Sequence, residues 1–236
     1  MISVILIEPE TAGNVGAIAR VMKNFGFSNL ILINPKCDHL SQTARNRAKN
    51  AQEVIVKAKV RTNRVLSNFD YLIATTAKIG TSYNIPRSPI TPEQLSIRLS
   101  KLNLSETKIG LVIGRESSGL INEEIQKCDF TVSIPAAPSY STLNISHAVS
   151  ILLYEFHKNL NSNSSQVSNI APISKIEIKQ LNLMLNQIMG RLHFTRPERV
   201  QTQKKLWKKI FTRSFLSRRE SFALMGIFQK IIKRLK

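Results

Sequence analysis

"SVILIEPETAGNVGAIARVMKNF", residues 3–25, changes periodicity within a few residues. Ser3–Ile7 is short and almost wholly apolar, as expected of a strand covered on both faces. From Val15 onward, apolar residues recur at Ile18, Val21, Met22 and Phe25, the spacing of a helix that buries one face. Between the two lies a proline- and glycine-containing turn in which Gly13 and Gly16 bracket Asn14. Strand, tight turn and helix make the opening unit of an α/β domain.

The pattern continues outward from that unit. Leu30–Asn34, Tyr71–Thr75, Ile109–Gly114 and Phe130–Ile134 read as further buried strands. Helical stretches alternate with them at Ala44–Ala58, Pro92–Leu99, Asn122–Lys127 and Ser146–Lys158. Alternation of this kind predicts a mainly parallel sheet over residues 1–158. At residues 159–173 serine and asparagine dominate and periodicity is lost, which predicts a linker. Residues 174–236 predict a small helical domain. Ser174 with Glu177 and Ser217 with Glu220 have capping-box spacing, Gly190 is expected to stop the first helix, and Pro197 opens the second through about Phe211.

Composition bounds the function. The chain has 236 residues and a net charge of +19. Residues 1–170 hold 18 basic and 12 acidic residues, against 16 and 3 in residues 171–236. The tail is therefore the electrostatic handle, and a polyanion is the expected partner. No apolar run approaches the ~20 residues of a membrane span, and the first residues do not read as a signal peptide. Cys37 and Cys128 form neither a disulfide framework nor a zinc spacing. A cytoplasmic protein is expected, without membrane or metal.

Three loops carry chemistry-bearing residues. The first, "PETAGNVGAIAR" (9–20), lacks both glycine-rich phosphate signatures, so its glycines alone mark a capped turn. Asn14 and Arg20, however, both fall where ligands of open parallel sheets bind. The second, "LVIGRESSGL" (111–120), ends a strand with Arg115 and Glu116 between Gly114 and Gly119, more charge than a turn needs. The third, "PAAPSYSTLNISHAVSILLYE" (135–155), places Asn144 just before an apolar helix, where it reads equally as an N-cap. The four histidines form no metal cluster, and no serine stands in a nucleophile elbow.

Taken together, the loops resemble the three motifs of the SpoU/TrmH branch of the SPOUT superfamily, S-adenosylmethionine-dependent RNA ribose 2′-O-methyltransferases. The match is N-x-G-x-x-x-R at Asn14, Gly16 and Arg20, G-x-E-x-x-G at Gly114, Glu116 and Gly119, and Thr142-Leu143-Asn144. The fuller strings "NVGAIARVMKNFGF", "GRESSGLINEEIQKCD" and "YSTLNISHAVSILLYE", with the tail "FTRPERV", are similar to the group of that branch that methylates tRNA nucleotide 32 in the anticodon loop. Two departures stand out: Thr142 replaces the usual serine, and "TTAK" (75–78) replaces the frequent T-S-A-R.

The resemblance implies a trefoil-knotted parallel-sheet domain with a small C-terminal all-α domain, and a homodimer with its site near the subunit interface. It implies a catalytic set of Arg20, Asn14, Glu116, Thr142 and Asn144. It implies S-adenosylmethionine contacts from Thr75, Thr76, Ala77, Ile113, Gly114, Glu116, Gly119, Ile134, Thr142, Leu143, Asn144 and Ser146. The basic surface assigned to tRNA comprises Arg45, Arg47, Arg196, Arg199, Lys204, Lys205, Lys208, Lys209, Arg218 and Arg219. Arg115 is assigned to RNA, with the neighbouring subunit as its alternative. A ribosomal RNA methyltransferase of the same branch and a non-catalytic RNA-binding protein are the competing readings.

Overall fold

A computed structural model of the chain describes residues 1–77, 89–160, 173–192, 194, 196–214 and 216–235. The chain divides into two compact units between residues 165 and 166.

In the first unit, six strands form one parallel sheet: β1 (Ile2–Ile7), β2 (Leu30–Ile33), β3 (Lys59–Arg61), β4 (Tyr71–Thr75), β5 (Ile109–Ile113) and β6 (Phe130–Val132). Their order is β3-β2-β1-β5-β4-β6. The chain thus builds outward from β1 in one direction, then returns to its other side, making a topological switch point between β1 and β5. All the pairings are parallel, so the C-terminal ends of β1, β4, β5 and β6 lie along one edge. That edge is where open α/β sheets bind ligands.

Every residue of β1, β2 and β5 is buried, which explains why these strands read as unbroken apolar runs. On one face, Ile5, Ile7, Ile31, Ile33, Phe69, Leu72 and Val112 share a core. Of the helices, α1 (Ala12–Asn24) and α4 (Pro92–Leu99) both pack on α6 (Ile145–Leu160).

Two expectations are corrected here. β3 is absent from the pattern of apolar runs: "KVR" is wholly exposed at the sheet edge and has no such run to announce it. The single helix expected at 44–58 is α2 (Gln42–Ala48), a 3-10 turn (Lys49–Ala51) and α3 (Gln52–Val56). The break falls at Lys49, whose φ of 51° lies outside the α-helical region and ends α2.

The second unit contains α7 (Lys175–Arg191), α8 (Pro197–Arg213) and α9 (Arg218–Arg234), around a core that includes Leu181, Leu185, Ile188, Phe211 and Phe228. Both capping boxes are formed, Ser174 with Glu177 and Ser217 with Glu220. Gly190 does not stop α7; the helix continues to Arg191, and the extended backbone of Leu192 ends it. The linker expected at 159–173 falls mostly outside the described residues, and α6 runs on to Leu160. Among the described residues, no helix is long and apolar enough to cross a membrane.

Gly16 has a structural role that its motif did not suggest. A Cβ there would lie 2.1 Å from the carbonyl oxygen of Ala44, so α1 and α2 touch backbone to backbone. Gly16→Ala is expected to lower stability by about 3 kcal/mol, the upper end of overpacking costs because backbone cannot step aside; urea denaturation of the full chain measures it.

Candidate active site

The three loops meet at the C-terminal edge of the sheet, and Glu116 joins them. Its Oε2 accepts the backbone N–H of Glu10 at 2.9 Å, and its Oε1 that of Thr11 at 3.1 Å. Thr11 is the N-cap of α1 but its side chain makes no capping bond. The carboxylate of a distant loop sits at the helix mouth instead, where its charge also suits the helix dipole.

From Glu116 a chain of hydrogen bonds continues. Asn14 Nδ2 donates to Glu116 Oε1 at 3.2 Å, and Asn144 Nδ2 donates to Asn14 Oδ1 at 3.3 Å. Asn144 Oδ1 accepts from the Ser146 backbone N–H at 2.8 Å and from Ser146 Oγ at 2.7 Å. The N-cap reading of Asn144 is met in the geometry. One end of its amide caps α6, and the other reaches the first motif.

Beside this chain lies a cavity of about 380 Å³. Thr75, Thr76, Ala77, Ile113, Gly114, Arg115, Glu116, Gly119, Ile134, Thr142 and Leu143 all line it, from among the residues singled out by sequence. Asn144 and Ser146 stand next to its wall rather than in it. The sequence reading missed the apolar lining of Leu120, Val132, Ala148 and Leu152. These residues carry no chemical signal, and only the fold separates them from ordinary core. Lys78 lies outside the described residues.

The two glycines of the second loop have different backbone roles. A Cβ on Gly114 would lie 2.2 Å from the carbonyl carbon of Gly119, so this glycine lets the loop close on itself. Gly119 has φ +70°, a left-handed conformation, and the position of its missing Cβ is open. Paired backbone bonds between Arg115 and Gly119 close the loop.

Arg20 is exposed on α1, and no hydrogen bond or ion pair engages it among the described residues. Arg45 and Arg47 belong to α2, which packs against α1; Arg47 is exposed, and Arg45 Nε donates to the Leu40 carbonyl. In the second unit Arg196, Arg199, Lys205, Lys208 and Arg219 are exposed, whereas Lys204 and Lys209 are half-buried. Arg218 is partly committed within its own unit, its Nε 3.0 Å from Glu177 Oε1.

Arg115 is engaged within the protein. Its guanidinium points into the protein, with Nη2 3.0 Å from Glu124 Oε1 and 3.3 Å from Glu8 Oε1. Two carboxylates and a carbonyl take up the fork that the sequence assigned to RNA.

With this geometry in view, the comparisons with known proteins are decisive. The family model described as the SpoU rRNA Methylase family matches residues 1–154. The chain belongs to the SpoU methylase family. A tRNA (cytidine-2′-O-)-methyltransferase TrmJ from Methanocaldococcus jannaschii is 36% identical over 97% of this chain and 99% of its own length. A tRNA (cytidine/uridine-2′-O-)-methyltransferase TrmJ from Yersinia enterocolitica is 32% identical over 100% and 93%. Among solved structures, a probable methylase family protein from Haemophilus influenzae aligns with a TM-score of 0.72 at 25% identity, covering 99% of this chain and 97% of that one. The SpoU match spans the first unit, and the relatives span both.

Hydrogen bonding from Arg115 holds the Glu8 carboxyl below its ordinary range. Its contribution to stability is present above the unfolded-state pKa of about 4.3 and is lost as pH falls through the lower folded value. The stability difference between the parent chain and Glu8→Gln is therefore expected to be full near neutrality and to shrink in acid, as followed by thermal denaturation across that range.

Proposed function

We propose that the chain is an S-adenosylmethionine-dependent tRNA ribose 2′-O-methyltransferase acting on nucleotide 32 of the anticodon loop. The observation that carries this reading is the hydrogen-bonded run Glu116–Asn14–Asn144–Ser146, which ties all three motifs together at the rim of a cavity of fitting size. Full-length similarity to tRNA methyltransferases favours tRNA over ribosomal RNA as substrate. The two relatives differ in whether their names include uridine, so cytidine is the shared target.

The cavity fits the cofactor chemically. Ile113, Leu120, Val132, Ile134 and Leu143 offer apolar surface to a flat base, and the hydroxyls of Thr75, Thr76, Ser141 and Thr142 offer polar partners. S-adenosylmethionine supplies an electrophilic methyl group when bound. The residues of this chain have three tasks: to hold the ribose, to favour loss of its 2′-proton, and to fix the backbone.

Arg20 suits the second and third tasks. Arginine stays protonated, so it is no literal general base. As a cation it grips the adjacent phosphate and stabilises charge developing on the 2′-oxygen, while the proton leaves to that phosphate or to water. Asn14 and Asn144 orient the ribose side of the site from a rigid network rather than from free side chains. Glu116 has its oxygens on the α1 mouth and Asn14, so its role is to position these groups.

The same reading includes a cytoplasmic homodimer, a trefoil knot in the first unit and tRNA binding by the basic second unit. Exposed Ile151 and Tyr154 on α6 are apolar surface that supports a dimer.

Arg20→Lys keeps the charge but loses the planar fork, so methyl transfer from labelled S-adenosylmethionine to tRNA should fall about a hundredfold, with cofactor affinity by calorimetry unchanged; near-normal turnover would sink the assignment. For the tail, the triple substitution of Arg199, Lys205 and Lys208 by Gln should weaken tRNA binding and make its salt dependence shallower, the slope falling by about one for each phosphate that is no longer gripped. An unchanged slope in filter binding would remove these residues from the interface.

A further inference from the structure

The sequence left Arg115 between RNA and a neighbouring subunit, and the structure points elsewhere. We propose that Arg115, which borders the cavity, is a positioning residue for the cofactor loop, acting through Glu8 and Glu124 rather than by gripping RNA. This inference rests on the function proposed above.

All three guanidinium nitrogens are engaged. Nε donates to Glu8 Oε2 at 3.3 Å. Nη1 donates to Glu124 Oε2 at 3.2 Å and to the Gly119 carbonyl at 3.3 Å. Nη2 donates to Glu124 Oε1 at 3.0 Å and lies 3.3 Å from Glu8 Oε1. Both carboxylates are thus gripped bidentately, a geometry that a planar fork can supply and an ammonium cannot. The Arg115 side chain is 17% exposed and that of Glu124 is 9%, so water competes weakly for the bonds between them, whereas that of Glu8 is 28% exposed.

The three partners define what is being held. Glu8 ends β1 in a left-handed conformation, φ 46°, which a residue with a Cβ adopts only under constraint. Two and three residues later come Glu10 and Thr11, whose amides are the donors to Glu116. Glu124 opens α5 (Asn122–Lys127), and its Oε2 also accepts the Ile121 N–H at 2.9 Å. Gly119 closes the cavity loop. Arg115 therefore ties both ends of the 114–121 segment to the exit of β1.

The next residue shares this task. Arg115 and Glu116 are adjacent, and both bond the 8–11 segment: one through a side chain, the other through amides. Two crosslinks between the same pair of loops fix distance and rotation together; one alone leaves a hinge. With Arg115 in place, Glu116 presents Oε1 to Asn14, and the cavity wall keeps the shape set at Gly119. Without the fork, the loop is expected to lose the conformation that receives the cofactor, while the apolar sheet beneath it stays folded.

The test compares the parent chain with Arg115→Lys, Glu8→Gln and the double variant. Calorimetric S-adenosylmethionine binding, thermal denaturation, and separate KM values for cofactor and tRNA are measured. The expected result for Arg115→Lys is cofactor affinity about tenfold weaker, within the range of small misplacements, and a raised cofactor KM. The tRNA KM should not change, and the protein should remain folded at the assay temperature. The effects of Arg115→Lys and Glu8→Gln on cofactor affinity should fall short of additive, because they break one linkage. A raised tRNA KM with normal cofactor affinity would place Arg115 on RNA and overturn the inference. So would a lowered melting temperature with parent-like cofactor affinity in the folded protein, or strict additivity of the two substitutions. If the parent chain itself fails to bind S-adenosylmethionine, the functional reading falls and the inference with it; parent binding together with normal binding by Arg115→Lys overturns the inference alone.

Discussion

A single carboxylate organises this site. Glu116 stands at the mouth of α1 and takes two backbone donors and one side-chain donor, so the second motif closes the first. The helix has no cap of its own at Thr11. The N–H of its N-cap and its positive end are answered from a loop far along the chain, which couples the local stability of α1 to the geometry of the site. Asn14 and Asn144 extend the same network to the third motif and to the start of α6.

The parallel sheet makes this convergence possible. Parallel strands put all their C-terminal ends on one edge, and the reversal of order beside β1 opens a crevice there. Loops after β1, β4, β5 and β6 then reach the same space, although they are scattered along the sequence. The apolar floor of the cavity comes from residues that also belong to sheet and helix packing, such as Val132 and Leu152. Site and core are thus continuous, with a rigid floor under polar walls.

Charge is divided between the units by task. In the first, Arg115 is neutralised by Glu8 and Glu124 and serves geometry, whereas Arg20 is left unpaired among the described residues and suits an anionic substrate. In the second, basic side chains outnumber acidic ones 16 to 3 over residues 171–236, and several stand exposed on α8 and α9. Sequence shows how many charges there are but not which are already answered. Arg115 and Arg218 both looked free and both hold carboxylates.

Sequence alone determined the alternation of strand and helix, because burial on both faces writes unbroken apolar runs and one-sided burial writes a helical period. It also carried the three motifs and the basic tail, since those residue types have few other uses at those positions. It did not show β3, whose exposed residues leave no pattern, or the break at Lys49, which depends on one backbone angle. Only the tertiary structure decided what each motif residue does. Gly16 and Gly114 proved to permit contacts between backbones, Glu116 to accept backbone donors at the mouth of a distant helix, and Arg115 to hold two carboxylates. The physical reason is that a motif records which residue is required, whereas its role depends on which atoms from remote parts of the chain arrive within bonding distance.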